Sequence, residues 1–198
     1  MLLALDVGNT HTVLGLYDGA ELRQSFRIES SKGRTADEHL VVLLTLLDVA
    51  ELARSAVHAT IIASVVPSIT DTLSSATERA FGHRPLVVGP GVKTGMPILY
   101  ENPREVGADR IANAVAAYER CHGAVIVVDF GTGTNFDCVS ARGEFLGGVI
   151  APGLQISAEA LFTRAARLPR IPLQKPPRVI GRNTTHSVQS GIVFGYVG

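Results

Sequence analysis

One short unit occurs twice in this chain. Asp6-Val7-Gly8-Asn9-Thr10 returns 123 positions later as Asp129-Phe130-Gly131-Thr132-Gly133. Each copy follows an apolar run, Leu2-Leu3-Ala4-Leu5 in the first and Val125-Ile126-Val127-Val128 in the second. Each is followed at the same offset by an acidic–apolar pair, Glu21-Leu22 and Glu144-Phe145. An apolar run that stops at Asp-x-Gly reads as a buried strand ending in a turn. Glycine lets backbone amides approach an anion closely, and successive amides at such a turn form an anion-binding concavity. The duplication therefore predicts two similar half-molecules facing each other across a cleft, each offering a Gly-rich turn to a polyphosphate. A single copy would be an ordinary turn; two copies in matching contexts carry the reading.

The rest of the chain predicts an α/β fold. Residues 2–7, 11–18 and 21–28 read as strands joined by tight turns, one of them Asp18-Gly19, and so as an antiparallel meander. Thr35-Ala36-Asp37-Glu38 is a capping box opening a helix expected to reach Ala53, with Leu40, Leu43, Leu44 and Leu47 on one face. A strand at 59–66, a helix at 68–81 and a strand at 86–88 complete a βββ-α-β-α-β order, the signature of a mixed sheet flanked by helices. After a Gly- and Pro-rich loop, Asn102-Pro103-Arg104-Glu105 gives helix-start signals, but Gly107 shifts the regular helix to about 108–121. The second half repeats the theme, with strands at 124–130, 135–140 and 144–150. A helix at 155–167, a Pro-rich loop and a final helix from Thr184 follow. The halves, 1–115 and 116–198, meet near residue 115.

Formal charge is zero over 198 residues, so bulk electrostatics offers nothing to hold a nucleic acid or an anionic membrane. The densest basic cluster, Arg164 to Arg170, reads as the polar side of a helix end. The two cysteines, Cys121 and Cys138, lack metal-ligand spacing and read as buried reduced thiols in a cytoplasmic protein. The first apolar stretch meets Asp6 too early for a signal peptide. No apolar run is long enough to span a bilayer.

Two further motifs bear on chemistry. Gly107-Ala108-Asp109-Arg110 sets an acid and a base side by side on a first helical turn. One reading is a carboxylate favoured by the helix N-terminus beside a surface arginine. The other is a general base beside an anion-binding guanidinium, as hydroxyl phosphorylation requires. Gly147-Gly148-Val149-Ile150-Ala151-Pro152-Gly153 carries too many glycines for a plain strand. It reads either as close backbone approach to a ligand or as a bulged strand with a turn.

Taken together, these residues resemble the type III pantothenate kinases of the actin/Hsp70/sugar-kinase superfamily. The likeness runs through Asp6 to Thr12, Tyr100-Glu101-Asn102-Pro103, Val106 to Arg110, Asp129 to Thr132, Gly147-Gly148 with Ala151-Pro152-Gly153, Gly181-Arg182-Asn183-Thr184, and Ser190-Gly191. It implies two duplicated ribonuclease-H-like, actin-like domains and ATP-dependent phosphorylation of pantothenate, the first step towards coenzyme A. It also assigns roles. Asp6, Val7, Gly8, Asn9, Thr10, His11, Thr12 and Val13 would form the first phosphate loop, with Thr132 a further ATP contact. Asp109 would accept the proton of the pantothenate hydroxyl, and Tyr100, Gly107, Ala108 and Arg110 would line the pantothenate pocket. Asp129 would ligate a monovalent cation, K⁺ or NH₄⁺, and Mg²⁺ would accompany ATP. The implied assembly is a homodimer in which Thr184 reaches the neighbouring subunit's pantothenate.

Two departures stand out. The second loop reads Thr132-Gly133-Thr134-Asn135 where many relatives have Thr-Ala-Thr-Thr. The chain also stops at Gly198 inside a helical pattern, which predicts a second domain truncated at its C-terminus. The competing reading is a non-catalytic regulatory or accessory relative; retention of Asp6, Asp109, Arg110, Asp129 and Thr184 argues against it.

Overall fold

A computed structural model describes residues 1–198 and resolves them into two compact units. The first comprises Met1–Val125 with Val139–Leu146, the second Ile126–Cys138 with Gly147–Gly198.

The first unit is organised by strands β1 (Leu2–Val7), β2 (His11–Asp18), β3 (Glu21–Glu29), β4 (Ala59–Ser64) and β5 (Leu86–Val88). They form one mixed sheet in the order β3-β2-β1-β4-β5. The predicted meander is antiparallel, whereas β4 runs parallel to β1 and β5 parallel to β4. Alternation along the strands sends Leu3, Leu5 and Val7 to one face, in register with Leu16, Leu14 and Thr12 of β2. That face packs against α1 (Ala36–Val49) and α2 (Pro67–Phe81), whose Leu43, Leu47, Ile69, Leu73 and Ala76 complete the core.

Helix α1 begins as expected. Glu38 N donates to Thr35 Oγ1 at 3.3 Å, and Thr35 N donates to Glu38 Oε2 at 2.7 Å. It ends four residues before the expected Ala53. Glu51 takes a left-handed φ of 56°, and Leu52 N donates back to Leu47 O, a backbone closure that terminates the helix at Val49. The fully buried stripe is His39, Leu43 and Leu47, so a histidine heads it, while Leu40 and Leu44 are only half-buried. Burial, reinforced by the Arg34 charge, holds the His39 imidazole below its ordinary range.

A smaller core of the first unit gathers Met96, Val106, Ile111, Ala114, Val139 and Phe145. Ile111 and Ala114 belong to α3 (Ala108–Cys121), which packs against β4. Cys121 is exposed at the end of this helix rather than buried, because His122 turns the chain away in a left-handed conformation (φ 49°).

Strands β6 (Val125–Phe130), β7 (Gly133–Val139) and β8 (Phe145–Pro152) form a three-stranded sheet, and α4 (Leu154–Arg164) and α5 (Thr184–Val197) follow. Helix α4 stops at Arg164, three residues short of expectation, so Arg167 and Arg170 lie beyond it and do not form the polar side of its end. Ser157 of α4 and Tyr196 of α5 share a hydrogen bond of 3.2 Å. Gln189 Nε2 donates to Pro172 O at 2.8 Å, and Ser190 Oγ donates to Val179 O, anchoring the Pro-rich segment on α5. No helix is long and apolar enough to cross a membrane.

Candidate active site

In the first unit, β1 ends at Val7 and the chain reverses within three residues into β2. Gly8 N closes this turn by donating to His11 O at 3.0 Å. A Cβ on Gly8 would sit 3.2 Å from that same oxygen, so glycine suits the tight reversal. Around the turn, Asp6, Asn9, Thr10 and His11 are exposed, while Val7 and Thr12 point into the core and Gly8 and Val13 are half-buried. The next connection is tied to the turn as well. Ser30 N donates to Thr10 O at 3.0 Å, and the Thr12 and Ser30 hydroxyls lie 2.8 Å apart.

Asp6 lies on the sheet face opposite Val7, in register with Ala63 of β4. Two residues after Ala63 comes Val65, whose N–H donates to Val7 O at 3.1 Å. Val65 is also where α3 arrives: a Cβ built on Gly107 would lie 3.4 Å from Val65 Cγ1 and 2.5 Å from Asp109 Oδ1. Gly107 thus leaves room for the Asp109 carboxylate to fold back over the start of its own helix. There its Oδ1 accepts from Arg110 N at 2.7 Å. The turn after β1 and the start of α3 are thus linked through Val65 within the first unit.

Arg110 is not the surface arginine of the simpler reading. It is buried, and its guanidinium carbon stands 5.5 Å from the centroid of the Phe145 ring. Tyr100 meets the same ring, centroids 6.4 Å apart. Phe145 is fully buried and fixed by its backbone, donating to Pro97 O and accepting from Leu99 N at 2.9 and 2.8 Å. Aromatic rings attract guanidinium groups through their negative faces, more strongly once water is excluded. Phe145 is therefore the platform on which Tyr100 and Arg110 are set, and sequence reading missed its role. The available signal was its place in the repeated acidic–apolar pair.

The second unit repeats the turn. Asp129 is half-buried near the end of β6, and Gly131 N donates to Gly133 O at 2.9 Å. Thr132 is exposed at the tip, and its carbonyl accepts from Gly153 N at 2.8 Å. A Cβ on Gly153 would stand 2.3 Å from both Gly131 O and Thr132 O, and one on Gly148 would stand 2.1 Å from Phe136 O. Gly148 and Gly153 thus serve close approach of backbone to protein backbone. Gly153→Ala should force the 131–133 turn open. The expected result is a loss of about 1–3 kcal/mol of stability by urea unfolding.

Thr184 is exposed in the first turn of α5, whose N-cap Asn183 accepts from His186 N at 2.7 Å. With Arg182, Ser187 and Leu161 it lines an open cavity of about 800 Å³ in the second unit. Of the expected site residues, then, Asp6 to Val13, Tyr100 and Gly107 to Arg110 lie in the first unit; Asp129, Thr132 and Thr184 lie in the second.

A mixed sheet bearing a carboxylate-flanked glycine turn, with an acid and a buried guanidinium at a helix start on the same unit, is the architecture of a kinase-type phosphotransferase. Comparison with known proteins makes the assignment specific. The type III pantothenate kinase family profile matches residues 2–198. Type III pantothenate kinases of an Anaeromyxobacter species and of Myxococcus xanthus are 60% and 57% identical over all 198 residues, which cover 78% and 77% of those proteins. The chain belongs to the type III pantothenate kinase family. A Campylobacter jejuni crystal structure, provisionally described as a Baf family transcriptional activator, shares the fold with a TM-score of 0.59. It is 18% identical, over 98% of this chain and 75% of that one.

Proposed function

We propose that this chain transfers the γ-phosphoryl group of ATP to the hydroxyl of pantothenate, giving 4′-phosphopantothenate and ADP, in the first step of coenzyme A biosynthesis. The observation that carries the reading is the start of α3. Asp109 is held there by the Arg110 amide while the Arg110 side chain is buried against Phe145. Asp109 accepts the hydroxyl proton as the new O–P bond forms and the bond to the β-phosphate oxygen breaks. Phosphoryl transfer passes through a loose transition state, so positioning and charge neutralisation outweigh base strength. Arg110 supplies fixed positive charge, and Tyr100, Gly107 and Ala108 complete the wall around pantothenate.

The turns at Asp6–Val13 and Gly131–Gly133, with Thr132, receive the nucleotide phosphates through backbone amides. No group of three or more His, Cys, Asp or Glu side chains forms a cage for a divalent ion. Mg²⁺ commonly binds through one or two carboxylates, waters and substrate phosphates, a donor set that the exposed Asp6 and a nucleotide would complete. When bound, it would neutralise phosphate charge. Asp129, a half-buried carboxylate next to a turn rich in backbone carbonyls, offers the hard oxygen donors that suit K⁺ or NH₄⁺. The chain has only three lysines, so a fixed monovalent cation would add charge that side chains do not supply.

The same reading makes the enzyme a cytoplasmic homodimer in which Thr184 completes the partner subunit's pantothenate site. It also makes residues 1–115 and 116–198 two related actin-like halves, each contributing one phosphate loop; the repeated strand–turn–strand unit supports this. Titration of activity with KCl tests the cation assignment. Wild-type turnover should rise severalfold with K⁺, and Asp129→Ala should stay at the K⁺-free rate throughout. An unaltered K⁺ response in that variant would remove Asp129 from the site.

A further inference from the structure

Three nitrogens inside the first unit are enclosed without a protein partner: Arg34 Nη1 and both ring nitrogens of His39. Enclosed polar groups in native proteins are normally satisfied, if not by protein then by ordered water. Their place in the fold follows from register. Leu43, Leu46 and Leu47 of α1 meet Leu14, Leu16 and Phe26 around one small internal void. His39 stands one helical turn before Leu43 on the same stripe. One step along the sheet from the Leu5–Leu14–Phe26 row is the row Val7–Thr12–Ile28. Helix α1 starts at the same end of the sheet, because Ser30, which precedes it, is bonded to Thr10 and Thr12. His39 therefore lies towards the end of the sheet that carries the first turn, with the Arg34 charge close enough to act on its ring.

We propose that Arg34 and His39 are positioning residues for the first phosphate turn, acting through ordered water shared with the Thr12–Ser30 hydroxyl pair. The hydrogen-bond accounting closes on this arrangement. A neutral imidazole has one donor and one acceptor, and Arg34 Nη1 only donates. A water accepts a hydrogen bond from Arg34 Nη1 and donates one to the ring acceptor. The ring N–H then donates, directly or through a second water, to the hydroxyl pair, which retains free lone pairs. The turn is thereby braced from below against α1, and its amides are held in the geometry a phosphate needs. Neither residue touches substrate in this scheme.

The inference rests on the nucleotide role proposed for the turn, and its test separates the two. His39→Leu, His39→Gln and Arg34→Met are compared with wild type by thermal unfolding, by amide hydrogen exchange at residues 8–12 without nucleotide, and by KM for ATP and pantothenate. His39→Leu and Arg34→Met should exchange faster at the turn and raise KM for ATP about tenfold, the worth of one lost buried hydrogen bond. KM for pantothenate should be unchanged. His39→Gln, which keeps a donor and an acceptor, should restore most of the loss. A purely structural histidine predicts the reverse for leucine: equal or higher thermal stability with unchanged exchange and KM, and that result overturns the proposal. Should the wild type bind no ATP, the functional reading fails on its own, and the exchange comparison still decides whether the two residues brace the turn.

Discussion

Asp109→Asn should lower turnover by about two orders of magnitude or more while KM for pantothenate changes little. The substitution removes the proposed proton acceptor and little else. Asparagine keeps the oxygen that accepts from Arg110 N, so the helix start is preserved. It also fits the space that Gly107 leaves, since the two side chains are nearly the same shape. A loss confined to kcat marks an interaction made in the transition state; a matching rise in KM would instead mark a binding residue. Steady-state kinetics, with thermal unfolding to confirm an intact fold, separates the two. Turnover within a few-fold of wild type would leave Asp109 as a helix-capping carboxylate.

The second large effect is expected at Phe145. Phe145→Ala should cost about 3–5 kcal/mol of stability, as large aromatic deletions in close-packed cores do. It should also raise KM for pantothenate, because Tyr100 and the Arg110 guanidinium both rest on this ring. Phe145→Leu separates packing from orientation. Leucine refills much of the volume but offers no aromatic face, so stability should largely return while KM stays elevated by roughly an order of magnitude, given the ~2 kcal/mol a desolvated cation–ring contact is worth. Equal recovery of both properties would reduce Phe145 to a core residue. Urea unfolding and pantothenate kinetics on the two variants provide the comparison.

The elements of the fold were legible where one local rule decided them. The capping box at Thr35 and the Asp18-Gly19 turn each fix a boundary by chemistry within four residues. The end of α1 was not legible, because Glu51 takes a left-handed conformation that its residue type does not announce. Nor is the burial of His39 legible, since it depends on the stripe shared with Leu43 and Leu47 rather than on the residue's own polarity. At the site, the glycine turns and the Asp109-Arg110 pair could be read directly. What the sequence left open was which face of the sheet each side chain would occupy and what the glycines would touch. Arg110 reads more readily as a surface arginine than as a pocket residue until Phe145, 35 residues away, is brought beneath it. The 147–153 glycines read equally as ligand contact or bulge until Gly153 meets the carbonyls of Gly131 and Thr132. Both are long-range packing outcomes, which local propensity does not encode.

The most direct measurement is phosphopantothenate formation by the purified chain with millimolar ATP, Mg²⁺, pantothenate and K⁺, after a cooperative unfolding transition has shown it folded. The account predicts stoichiometric ADP and 4′-phosphopantothenate, abolished by omitting either substrate. A folded chain that binds pantothenate and ATP yet forms no product would contradict it and favour a binding role.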